Sequence, residues 1–215
     1  PHSQGAFREL IVVGEFQCEP VGDTVSLGEA ACCEPLSVAL HAVRQAGSLT
    51  GKKVLVTGSG PIGALVIAAA RYAGALEVVA TDLHDAALKK ATEMGATRTV
   101  NVSQAPGLGT EEFTADKGYF DVAIECTGAG VVIKDVLPVL RPRGTLVQVG
   151  VTGEVPIPIN ALVGKEICFQ GAFRFHTEYA LAARLIKEGR INVKPIITAT
   201  VPFERAVEAF EMAAD

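Results

Sequence analysis

A doubly wound α/β fold with six parallel strands is what this sequence predicts, and three observations predict it. Short apolar strands alternate with helical stretches from Lys53 onward, a rhythm that demands a parallel sheet buried on both faces. The first strand runs directly into Gly58-Ser59-Gly60-Pro61-Ile62-Gly63 and the alanine-rich run Ala64 to Gly74. The second strand, from Glu77, ends on Asp82.

Each part of that stretch has a physical job. Gly58 allows the tight turn, Gly60 keeps a side chain away from an approaching pyrophosphate, and Gly63 lets the helix pack closely. The helix that begins at Pro61 offers unpaired N–H groups and a positive dipole end. Asp82 lies about 20 residues further on, where a carboxylate can accept the hydroxyls of an adenosine ribose. Together they predict a Rossmann-type site for NAD. NADP is less favoured, because Asp82 repels a 2′-phosphate and Leu83, His84 and Asp85 supply no arginine beside it. A tight turn without a ligand is the plainer alternative, and a methyltransferase using the same turn is a weaker one.

In chain order, Ala6 to Val13 reads as a strand. Ser26 and Glu29 form a capping box for a helix that continues to Glu34. Pro35 is expected to interrupt that helix before it resumes over Ser37 to Ala46, leaving Glu34 at a kink. After Asp82 come a helix over Ala86 to Met94, a strand over Thr97 to Val102, and a polar stretch from Ser103 to Gly118 without a motif. Tyr119 to Cys126 is the fourth strand, Val131 to Leu140 a helix, Pro142 to Gly144 a turn, and Thr145 to Val149 the fifth strand. Ile167 to Phe173 is the sixth. Beyond it, Thr177 to Lys187 reads as an amphipathic helix and Pro195 to Thr200 as a strand. A last helix opens at Pro202, with Phe203, Ala206, Val207 and Phe210 at helical spacing.

The 215 residues can bury a full core, and the net charge of −5 with no basic run excludes a nucleic-acid partner. No apolar stretch is long enough for a bilayer, since Arg71 interrupts the best one, so no membrane partner is expected. The hydrophobic share of 49% is high, which predicts surface covered by further protein or by other copies in a homo-oligomer. Five cysteines without a CxxC pair fit a reducing, cytoplasmic compartment, with Cys32 and Cys33 as core residues. The chain starts at Pro1 without methionine and stops at Asp215 inside a helical pattern, so a piece of a longer protein is expected.

Ligands of open α/β sheets bind beyond the carboxyl ends of the strands. The loops there carry Thr127 and Gly128, then Val149, Gly150 and Val151, then Phe173, Arg174 and Phe175. Thr127, Gly128 and Gly150 would let the backbone approach the ribose and nicotinamide, or they are ordinary loop residues. Arg174 ends an apolar strand, so its charge must emerge at the sheet edge, to meet a substrate carboxylate, a pyrophosphate or a nearby acid. Glu34, an acid within an apolar helix, is costly there unless it binds a cation or a donor. His41 and His176 show no ligand spacing.

Glu34-Pro35-Leu36-Ser37-Val38, the glycine turn, Thr81-Asp82, Phe120-Asp121, Glu125-Cys126-Thr127-Gly128, Gly164-Lys165-Glu166 and Phe173-Arg174-Phe175 resemble the zinc-dependent medium-chain dehydrogenases. Within them the match is to the polyol, sorbitol dehydrogenase-like branch, and Pro1-His2 ahead of Gly5-Ala6-Phe7 adds to it. The resemblance implies a Rossmann domain over residues 38–175. It assigns residues 1–37 and 176–215 to an incomplete GroES-like catalytic domain. It implies a hydride passing between NAD and a secondary hydroxyl of a sugar acid or polyol, with L-idonate to 5-keto-gluconate as the expected reaction and a sorbitol- or xylitol-type polyol as the alternative.

The resemblance makes Glu34 and Arg174 catalytic and Glu34 a metal residue, the other zinc ligands lying upstream of Pro1. Ile62, Asp82, Val149, Phe173 and Arg174 match cofactor contacts, and Arg174 and Phe175 match substrate contacts. Phe175 stands where sorbitol-type relatives carry tyrosine, which favours a carboxylated substrate. Relatives assemble as dimers or tetramers. By itself the fragment is expected to be an inactive dinucleotide-binding module, because one carboxylate cannot hold a zinc that takes about three protein ligands.

Overall fold

The computed structural model describes residues 5–214, so Pro1, His2 and Asp215 lie outside the described residues. Its centre is one six-stranded sheet in the order β3-β2-β1-β4-β5-β6, every pairing parallel. The strands are β1 (Lys53–Thr57), β2 (Glu77–Asp82), β3 (Arg98–Asn101), β4 (Phe120–Glu125), β5 (Leu140–Gln148) and β6 (Cys168–Gly171). All six strands read for the parallel sheet are present, and the doubly wound fold stands.

Alternate residues of the four inner strands feed opposite layers, as the two-residue period requires. Val54, Val56, Val78, Ala80, Val122, Ile124 and Val147 enter one core, Leu55, Val79, Ala123 and Leu146 the other. The first core is closed by α2 (Cys33–Gln45), α3 (Pro61–Tyr72) and α8 (Glu178–Lys187), with α4 (Asp85–Glu93) at its margin. The second is closed by α5 (Glu111–Thr114), α6 (Val132–Val139) and α7 (Ile159–Lys165). α1 (Leu27–Ala31) precedes α2, and α9 (Ala206–Ala214) ends the described chain.

The capping box at α1 forms as read. Glu29 N donates to Ser26 Oγ at 3.3 Å, and Ser26 N donates to Glu29 Oε2 at 3.2 Å. The expected break at Pro35 falls instead at Cys32, and Pro35 sits in the first turn of α2. The reason is steric: a proline ring collides with the carbonyl four residues earlier, here that of Ala31, so the helix parts there. Glu34 therefore lies in the first turn of a new helix and is exposed, a position that the helix dipole favours for an acid. The desolvation argument for a cation at Glu34 does not hold.

Two expected strands are not formed. Residues 6–13 run over the surface with Leu10 and Val12 exposed, and residues 195–200 begin with a 3-10 turn over Lys194–Ile196. A strand exists only within a ladder, and neither segment has a partner strand among the described residues. Phe7 instead stacks on Phe203 at 5.0 Å and meets Phe210 edge-on at 5.5 Å. The turn expected at Pro142 is drawn into β5 as a bulge, with Arg143 at φ 63°. α5 and α7 are helices that the sequence pattern does not predict.

Lys165, at the end of α7, donates to the carbonyls of Leu137, Pro138 and Leu140 at 2.7–2.8 Å. It satisfies the acceptors that every helix C-terminus leaves over, here those of α6. Asp121 accepts from the backbone N–H of Lys53 at 2.8 Å and pairs with Arg141, fixing the amino ends of β1 and β4. Two motifs that carry the family resemblance thus have structural work of their own.

α8 is held to α2 through Glu178, whose carboxylate is buried. It accepts from Arg44 at 2.6 Å and from the His176 N–H at 2.8 Å, and it meets His41 Nδ1 at 3.3 Å. Burial by itself would raise its pKa, but the His176 N–H and His41 outweigh that and bring it to about 2. A depressed carboxylate contributes stability above its unfolded value of 4.5 and loses it as pH falls toward about 2. Glu178→Gln should therefore lower unfolding free energy at pH 7 by about 2–3 kcal/mol. In urea titrations the gap between the two proteins should close from pH 4.5 downward; a gap independent of pH would contradict this.

Candidate cofactor site

β1 is where the winding reverses, with β2 on one side and β4 on the other, so the crevice lies beyond the carboxyl ends of these strands. Backbone bonds continue past the strand ends into its rim. Gly58 N donates to Thr81 O, Cys126 N to Thr57 O, Val149 N to Glu125 O and Ala172 N to Gln148 O, all at 2.9 Å.

Within the glycine turn the three glycines separate cleanly. Gly58 has φ 83°, which a side chain resists. A Cβ on Gly63 would sit 1.8 Å from Gly58 O, so the turn and the helix could not close with any other residue. Gly60 is different. Its backbone (φ −63°, ψ −174°) suits any residue, and a Cβ there meets nothing within 4 Å. The chain itself makes no demand for glycine at 60. Pro61 occupies the first position of α3, where its missing N–H loses nothing, and the N-cap Gly60 has no side chain to satisfy the helix's first amides. Ile62 packs part-buried against the core behind the turn.

Asp82 is tied into this turn. Its Oδ2 accepts from Ser59 N at 2.8 Å and its Oδ1 from His84 N at 3.0 Å. Each oxygen thus holds one backbone N–H and keeps a lone pair for a further donor, so the acid orients the turn.

Across β1, the glycines at 128 and 150 answer to the fold. Gly128 has φ 70°, and a Cβ on Gly150 would lie 2.1 Å from Gly128 N. These two glycines let the loop after β4 press on the loop after β5, a reason independent of any ligand. Thr127 N donates to Glu125 at 2.6 Å, and the Thr127 hydroxyl accepts from Ala129 N at 2.9 Å. Val149 is part-buried against the core, while Val151 is exposed at the lip. Burial, then the neighbouring Glu125, push the Cys126 thiol pKa far up, which disfavours the thiolate.

Arg174 follows β6 in the left-handed region at φ 55°, a strained setting for a side chain. Its guanidinium lies 5.3 Å from the Phe173 ring, and no acid pairs with it among the described residues. Phe175 packs on Tyr179 at 5.9 Å. Burial, then the proximity of Cys33, Glu19 and Glu34, raise the Tyr179 pKa, so Tyr179 links the Phe175 side to the Glu34 end of α2. Sequence reading did not single out Tyr179, and it named Glu125 only within a motif, without a role. His41 and His176 stack at 5.0 Å beside Glu178, away from any ligand set. Cys32 and Cys33 are buried core residues, and no three His, Cys, Asp or Glu side chains stand together to hold a metal ion among the described residues.

Sheet order, glycine turn and strand-end acid together define a Rossmann-type α/β domain. Residues 61–188 match the family described as zinc-binding dehydrogenase, and the chain belongs to that family. It is 39% identical over 216 residues to the L-idonate 5-dehydrogenase (NAD(P)(+)) of Escherichia coli K12, covering 100% of this chain and 62% of that protein. It is 38% identical over 197 residues to the sorbitol dehydrogenase of Gallus gallus, covering 90% and 56%. The crystal structure of L-idonate 5-dehydrogenase from Escherichia coli superposes with a TM-score of 0.91 at 39% identity, over 95% of this chain and 59% of that one. The chain thus spans about three fifths of the length of these relatives.

Proposed function

We propose that the protein is an NAD-dependent dehydrogenase of sugar acids, interconverting L-idonate and 5-keto-gluconate. Gly60 carries this reading: a glycine that the fold does not require, opening onto bare crevice at a helix N-terminus, suits a pyrophosphate lying against the backbone. In it, Gly58 to Gly63 cradle the pyrophosphate and Asp82 holds the adenosine ribose. Thr127, Gly128, Val149, Gly150, Val151 and Phe173 line the nicotinamide half. Bound there, the nicotinamide supplies the hydride acceptor.

Arg174, exposed and without an acid partner among the described residues, attracts the substrate carboxylate over the ring of Phe173. Phe175 offers no hydroxyl to a neutral polyol. The name of the similar Escherichia coli enzyme supports a sugar acid, and its printed NAD(P)(+) fits a preference short of strict. Residues 38–175 form the cofactor domain in this reading, with 1–37 and 176–215 belonging to a catalytic domain. The setting is cytoplasmic and the assembly a homo-oligomer; no helix among the described residues is long and apolar enough to cross a membrane.

Zinc does not fit the described residues alone. Glu34 is exposed without two further donors beside it, too few for an ion that takes about three protein ligands. That observation favours a second reading, in which the 215-residue chain by itself is a dinucleotide-binding module. Titration of the chain should show saturable NADH fluorescence and, with zinc and L-idonate added, no turnover. A zinc-dependent rate from the chain alone would overturn the module, and absence of NADH binding would overturn both readings. In the whole enzyme, Arg174→Ala should raise the KM for L-idonate about tenfold or more and leave that for a neutral polyol nearly unchanged.

A further inference from the structure

Glu125 is wholly buried at the carboxyl end of β4, and no cation pairs with it among the described residues. A lone buried carboxylate persists only when several donors satisfy it. Here they are the Thr127 N–H at 2.6 Å, the Thr127 hydroxyl, the Gly128 N–H at 3.3 Å and the Gln148 amide. The backbone carbonyl of the same residue accepts from Val149 N at 2.9 Å and Gly150 N at 3.0 Å. Gln148 also donates to Gly150 O at 2.8 Å. One residue therefore holds both loops on the far side of β1.

The order of the sheet says what those loops face. Asp82 ends β2, the glycine turn follows β1, and the two loops follow β4 and β5. Three strand spacings separate β2 from β5, about 14 Å, the span of an extended dinucleotide. With adenosine at Asp82 and pyrophosphate at Gly60, the nicotinamide nucleoside falls over β4 and β5.

We propose that Glu125 is a positioning residue for the nicotinamide half of the cofactor, a role that rests on the dinucleotide reading above. Its carboxylate presents acceptors only, so every donor around it is fixed in direction. Glu125→Gln keeps the volume but turns one oxygen into an NH2 donor facing N–H groups, and one loop must swing away. The adenosine half belongs to the other side of β1, with Asp82 at the end of β2, so its site depends less on these bonds.

Calorimetric titration of the protein with NADH and with ADP tests this, ADP carrying only the adenosine and pyrophosphate. In Glu125→Gln the NADH dissociation constant should rise about tenfold or more, with that for ADP changed less than about twofold. Gln148→Met, which removes the amide from Glu125 Oε2 and Gly150 O, should shift the same ratio in the same direction, and it decides the matter should Glu125→Gln not fold. An unchanged ratio, or equal losses for NADH and ADP, would overturn the role of Glu125 while leaving the dinucleotide site intact. Failure of the unaltered protein to bind either ligand would overturn both.

Discussion

Gly60→Ala should leave the fold intact and lower NADH affinity about a hundredfold, two charge-assisted hydrogen bonds being worth about 3 kcal/mol or more. The methyl group meets nothing within 4 Å in the protein, and the backbone there is ordinary. Replacing glycine where alanine fits without strain even stabilises slightly, through the unfolded chain. All of the damage therefore falls on the ligand, whose phosphate is displaced from the amides of α3. Thermal unfolding should be unchanged within about 2 °C while the NADH titration weakens. Affinity that survives the substitution would remove the pyrophosphate from this turn.

The same change three residues later should strike the fold first. Gly63→Ala places a methyl 1.8 Å from Gly58 O, a contact between backbone segments that no side-chain rotation relieves. Either the turn opens or α3 shifts away from β1, and overpacking of this severity costs about 3 kcal/mol or more. The melting temperature should fall by roughly 6–12 °C. NADH affinity would fall with it, because the turn proposed to cradle the phosphates is the part that moves. A variant with wild-type stability would mean that the turn and helix are looser than the glycine contact indicates.

These two glycines illustrate what a sequence can disclose. The motif gives their spacing but not which of them serves the fold and which is left for a ligand; that requires knowing what lies opposite each absent Cβ. The inner strands were legible because they are short apolar runs bounded by turn residues, and the edge strands β3 and β6 because they fall in the same alternation with helices. The strands expected over residues 6–13 and 195–200 have the same local pattern. Alternation reports a backbone able to pair and says nothing of whether a neighbour is within reach.

α7 was hidden by Pro156, Pro158 and Gly164, although Pro158 ahead of Ile159 and Lys165 in the last turn are signals of a helix start and end. At Glu34, the apolar neighbours suggested burial, but the break at Cys32 turned the acid outward at a fresh helix start. Glu125, named only as part of a motif, was given no role for the converse reason. An acid at the end of a strand reads as solvent-facing, and only the closure of two loops over it buries the side chain.

The amide-to-carbonyl ladder that runs on from the strand ends into Gly58, Cys126, Val149 and Ala172 has a thermodynamic consequence. The lip is ordered at the moment the sheet forms, so its conformational entropy has already been lost before any nucleotide arrives. Association then needs to immobilise little beyond the nucleotide itself, and the cost of ordering the protein's own loops is no longer subtracted from the affinity.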